Sequence, residues 1–189
     1  MKRCLFVLLV TIASASFASS IGLFADLANT SCNLNIPAQP GVGTFYIAAI
    51  DCANIGCPGF TAAEFRVGGL PAGWVASSSP SPAAGVAIGD PLGAGANIGF
   101  YEVLMSNSVL LYTVTIWPVV AGAEATLRVT AHSTPSNPNY VCPRVRVGDC
   151  PATVYFCVGG GTMFINQPEA CTVAITQATW SVVKGLYQH

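Results

Sequence analysis

Between residues 124 and 131 the chain alternates without a fault. Ala125, Leu127, Val129 and Ala131 fall on one side; Glu124, Thr126, Arg128 and Thr130 fall on the other. Period-two alternation fits an extended strand with one face buried, and does not fit a helix. Just before it, Val109-Leu110-Leu111-Tyr112-Thr113-Val114-Thr115-Ile116-Trp117 is apolar at nearly every position. That is the pattern of a central strand covered on both faces. Pro118 and Gly122 separate the two runs. The expectation is a long hairpin over 108–132, and a two-stranded ribbon needs a second layer to cover it.

Shorter runs of the same kind recur at 21–25, 43–50, 61–67, 74–76, 86–88, 96–101, 141–147, 153–158, 162–166 and 171–177. In 61–67, Ala63, Phe65 and Val67 take one face, and Glu64 and Arg66 the other. In 141–147, Val145 and Val147 stand against Arg144 and Arg146. The Ser/Pro stretch 77–85, the Ser/Pro/Asn stretch 133–139 and Gly159-Gly160-Gly161 read as loops and breaks. About ten short strands with turns every 8–12 residues predict an all-β protein: an antiparallel β-sandwich, jelly-roll or immunoglobulin-like. The end differs. Trp180, Val183 and Tyr187 recur at helical spacing behind Thr179, a fitting N-cap. A short C-terminal helix over 179–189 is too short to stand alone, so it reads as an interaction tail that needs a surface.

Lys2 and Arg3 precede the apolar run 4–12, and Ala13, Ala15, Ser16 and Ala18 supply small residues for cleavage. This predicts a Sec-type signal peptide over 1–18, a sandwich domain over 19–178, and a secreted, cell-surface or periplasmic location. No later stretch is long and unbroken enough to span a bilayer. Charged residues are only 8% of the chain, against about 25% in ordinary globular proteins. Losing Lys2 and Arg3 leaves five basic residues against eight acids. Such a chain offers no basic footprint for nucleic acid, and little self-repulsion opposes association.

Seven cysteines follow the leader: Cys32, Cys52, Cys57, Cys142, Cys150, Cys157 and Cys171. In an exported chain they predict disulfides. Cys52–Cys57 closes a short loop. Cys142 pairs with Cys157 across two strands or, as the rival, with Cys150. Cys32–Cys171 ties the ends. An odd count leaves one thiol over, able to link neighbouring copies. There is no Cys-x-x-Cys spacing and His132 and His189 are the only histidines, so no metal site and no cofactor are expected.

A strand, then Gly-Phe-Thr-Ala-Ala-Glu-Phe-Arg-Val at 59–67, a Gly/Pro turn, and Leu-Leu-Tyr-Thr-Val-Thr-Ile at 110–116 give an order that resembles cohesins and related carbohydrate-binding jelly rolls, over about 44–129. The resemblance implies protein docking or glycan binding outside the cell. It assigns no residue a role. The ends, Gly22-Leu23-Phe24-Ala25-Asp26 with Cys32 and the Trp180–Tyr187 stretch, resemble small exported bacterial β-sandwich proteins of unknown function.

Catalytic constellations are not assembled by the sequence. His132 closes a strand, no Gly-x-Ser-x-Gly elbow is present, and the acids are scattered singly. Trp74, Tyr101 and Trp117, with Tyr140, are the candidates for stacking on a sugar. The expected function is a non-enzymatic structural or interaction module that associates with a protein partner or with itself. A carbohydrate-binding module using exposed aromatics is the alternative, and a secreted enzyme the third reading.

Overall fold

The computed structural model describes residues 19–37, 41–52, 59–148 and 155–168. They form two packed sheets, with no α-helix among the described residues. The smaller sheet runs β12 (Gly159–Gly160), β1 (Ser20–Phe24), β3 (Gly43–Ile50), β8 (Ser108–Trp117), β5 (Val75–Pro80). The larger runs β11 (Tyr155–Cys157), β10 (Arg144–Val147), β4 (Phe60–Gly68), β9 (Ala125–Thr130), β13 (Thr162–Ile165), β2 (Asn33–Leu34). β7 (Gly95–Leu104) joins it alongside β4, and β6 (Ala84–Asp90) pairs with β7. The protein is an all-β sandwich. Pairing is antiparallel except at β1–β12 and β2–β13, which are parallel.

The expected hairpin over 108–132 does not form. β8 pairs with β3 and β5, and β9 pairs with β4 and β13, so the two strands lie in different sheets. The Pro118 to Gly122 break carries the chain from one layer to the other. The continuous apolar run in β8 has a different cause as well. Its register against β3 shifts between Ile47 and Ala48, leaving Leu111 without an opposite residue. A bulge of one residue reverses which side chains face inward. Val109 and Leu111 point into the core before it; Tyr112, Val114 and Ile116 do so after it. β8 is covered mainly on one face, and the sequence reads apolar throughout because the parity switches.

Inward residues of the two sheets meet in one core, including Ile21, Phe45, Ile47, Phe65, Leu127 and Met163. Phe65 of β4 and Tyr112 of β8 pack edge to face across the layers, with ring centroids 6.1 Å apart. Gly159-Gly160-Gly161, expected to be a simple break, stitches the layers. Gly159 and Gly160 pair with Ser20 and Ile21, Gly161 donates to the Ile21 carbonyl, and Val129 donates to the Gly161 carbonyl. A Cβ on Gly160 would collide with the Val129 carbonyl oxygen, so the close passage requires glycine. The Ser/Pro stretch is also strand for most of its length, as the edge strand β5 and the start of β6.

Cys142 and Cys157 are disulfide-bonded, with Cα atoms 5.6 Å apart. In the ladder Arg144, not Cys142, lies opposite Cys157. Cys142 precedes the first residue of β10 and reaches the bridge from the covering loop. Cys32 is disulfide-bonded too. Cys57, Cys150 and Cys171, the leader 1–18, the strand over 171–177 and the tail with Trp180, Val183 and Tyr187 all lie outside the described residues.

The Cys52–Cys57 bridge is not made. Cys52 is a free, buried thiol, and its Sγ lies 3.3 Å from the Ile50 carbonyl and 3.8 Å from that of Ser20. Burial, with a contribution from the charge on Asp51, pushes its pKa up to about 12. A thiol held protonated inside the core cannot link neighbouring copies. Maleimide therefore leaves Cys52 unmodified in the native protein at pH 8 and labels it after denaturation. Equal labelling of Cys52 in both states, read by peptide mapping, would contradict this placement.

Candidate functional site

The outward faces of five strands form a grid that follows from register alone. One row runs Ile88, Asn97, Glu64, Arg144, Cys157 from β6 to β11; the next runs Val86, Gly99, Ala62, Arg146, Tyr155. A residue on each strand meets its neighbours at about 4.8 Å spacing, so each row spans roughly 19 Å.

Residues 133–143 fold over the Glu64–Arg144 part of the first row. His132 Nδ1 accepts from the Thr134 N–H at 3.1 Å, and Ser133 donates to the Ala94 carbonyl. The Ser136 N–H reaches both oxygens of Glu64, at 3.2 and 3.3 Å. Beneath this loop Arg144 Nη2 contacts Glu64 Oε1 at 2.7 Å and also Ser136 Oγ. The two side chains are 1% and 2% exposed. The guanidinium lies 4.8 Å from the Tyr140 ring and 4.6 Å from the Tyr155 ring, flanked by both. Tyr140 also donates to the Tyr155 carbonyl. Glu64 was expected on the solvent face opposite Ala63 and Phe65. It does lie on that face, but Arg144 and the loop bury it. Burial alone raises a carboxyl pKa; hydrogen bonds from Arg144 and Ser136 outweigh it and hold Glu64 below the ordinary glutamate value.

The second row stays open. Its middle, Gly99 and Ala62, is small and makes the floor of a groove of about 450 Å³. Val86, Ile88 and Tyr101 bound one end, and Arg146 and Tyr155 the other. Tyr101 is 86% exposed, yet its ring lies against the Gly85 backbone, so close that a Cβ there would overlap it. Arg146 is the one charged residue lining the groove among the described residues. Its Nε is buried and has no hydrogen-bond partner.

The three aromatics expected to form a sugar platform are not brought together. Trp74 is 8% exposed and belongs to the core. Trp117 is 38% exposed at the end of β8, in the smaller sheet beside Val75. Tyr101 alone reaches the groove. Sequence reasoning missed its other walls, Arg146 and Tyr155, and the loop that buries Glu64. The signal was present: Glu64, Arg144 and Arg146 are outward charges on strands of a chain that has few charges. Only the register shows that they are neighbours.

No protein-family model matches this chain, and no curated protein matches it.

Removing one partner of a buried ion pair strands the other, at a cost of about 3–5 kcal/mol. Arg144→Ala and Glu64→Ala should each destabilise the protein on that scale in urea unfolding. Because the folded-state pKa of Glu64 is depressed, its contribution is full above the ordinary glutamate value of 4.5. It is lost as pH falls through the lower, folded value. Glu64→Gln should therefore flatten the acid limb of the stability–pH curve; an unchanged acid limb would contradict the pairing.

Proposed function

We infer that this protein is an exported, non-enzymatic β-sandwich module that works by association, as a structural or interaction subunit at the cell surface or outside the cell. The observation that carries the reading is the open edge at β6. Among the described residues β6 pairs with β7 alone. Its only charge is Asp90 at its last position; Ala84-Gly85-Val86-Ala87-Ile88-Gly89 include no charge and no proline, and Val86 and Ile88 are exposed. Natural sheets blunt such edges with charge, proline or cover, because an uncovered strand offers its backbone groups to another chain.

β5, the edge of the smaller sheet, joins β6 through a turn in which Ser81 donates to the Leu111 carbonyl and Ala84 to that of Ser81. The two sheets thus open on the same side. The low charge of the chain removes repulsion between copies, and a second copy is the occupant proposed for this edge. The Cys142–Cys157 disulfide suits an oxidising compartment. No helix among the described residues is long and apolar enough to cross a membrane. Cys52 plays no part in this association, since its thiol is buried.

Two copies that pair antiparallel about Ala87 place Ala87 opposite Ala87. A lysine there sets like charges across the new ladder, which is destabilising. Light scattering after size exclusion should show the mature protein passing from monomer to dimer as concentration rises. Ala87→Lys should weaken that dimer by about tenfold or more with an unchanged circular dichroism spectrum. A monomer at every concentration, or a dimer indifferent to Ala87→Lys, would remove the β6 edge from the account.

A further inference from the structure

The groove on the open row is a second surface, independent of the β6 backbone edge, and its chemistry is specific. We propose that it binds an acidic saccharide, with Arg146 receiving a sugar carboxylate and Tyr101 and Tyr155 flanking the pyranose rings. Charge decides the class of ligand. Among the described residues, Arg146 is the one charged residue lining the groove, and no acid lines it. Glu64, on the same face, is already neutralised by Arg144 at 2.7 Å.

Arg146 is half-buried on the groove wall, and an incoming carboxylate supplies the charged acceptor that a guanidinium pairs with best. Thr61 Oγ1 donates to the Arg146 carbonyl at 3.1 Å, tying its backbone to β4.

Shape favours a sugar over a point anion. The floor at Gly99 and Ala62 has no long side chain, and the volume of about 450 Å³ falls in the range of small-molecule sites. Tyr155 is held from behind by Arg144, and Tyr101 is seated on Gly85, so both rings are oriented before a ligand arrives. Tyrosine offers an apolar face for the C–H side of a pyranose and a hydroxyl for its rim. Asn97, also on the groove wall, brings an amide that both donates and accepts.

Isothermal titration of the mature protein with oligogalacturonate, oligomannuronate and hyaluronan fragments tests this, with the methyl ester of each uronate as the uncharged control. At least one acidic series should bind, and its ester should bind about tenfold or more weakly. Arg146→Gln should cause a loss of similar size and remove the salt dependence. Tyr101→Ala, at an exposed position, should also weaken binding while leaving the thermal melt unchanged, so a folding defect in the arginine variant does not obscure the result. Failure of all three acidic series, equal binding of acid and ester, or binding untouched by either variant would overturn the proposal. So would an aspartate-rich peptide displacing the saccharide at lower concentration, which would make the groove a protein site. Repeating the titration on Ala87→Lys separates the two readings: groove binding should persist in a protein that no longer pairs through β6.

Discussion

The buried contact between Glu64 and Arg144 sets the layout of the functional face. In a chain with so few charges, two opposite ones are placed on adjacent strands at one level of the sheet. They are then roofed by a loop that contributes the Ser136 amide and the Tyr140 ring. Desolvating two charges is unfavourable, and hydrogen bonds with Ser136 and two flanking aromatic rings offset part of that cost, although the Arg144 Nε is buried without a partner. The disulfide from Cys142 to Cys157 anchors the far end of the same loop next to Arg144. Loop, pair and bridge form one structural unit.

That unit divides the outer face. Where residues 133–143 lie, the sheet is sealed; one row further along β4 and β10 it is open, and the groove begins. Arg144 and Arg146 occupy equivalent positions two residues apart, yet Arg144 is buried beneath the loop and ion-paired to Glu64, whereas Arg146 is half-buried and lines the groove. Tyr155 serves both, with Arg144 against its ring and Arg146 opposite it in the ladder. At the β6 edge, which borders the groove, backbone rather than side chains governs the surface.

The period-two signal made the sheet content legible. β3 runs over 43–50 as its pattern implies, and the inward set Ala63, Phe65 and Val67 is buried as expected. Pairing was not legible. Adjacent runs suggested a hairpin, but a proline and a glycine are equally able to carry a chain between layers, and β8 and β9 have different partners. The bulge at Leu111 disguised a one-face strand as a two-face strand. The groove was hidden for the same reason: its walls come from β4, β6, β7, β10 and β11, and nothing local in Arg146 or Tyr155 announces the other. Trp74 and Trp117 attracted attention by residue type, whereas burial and sheet membership decided their roles.

The central claim is that Glu64 holds residues 133–143 onto the sheet. Amide hydrogen exchange at Ser136 reads it most directly. In the wild-type protein at neutral pH the Ser136 amide should be protected. In Glu64→Ala that protection should vanish across the loop while β4 and β9 keep theirs. Rapid exchange at Ser136 in the wild type, or a loop as protected in Glu64→Ala as before, would contradict the account.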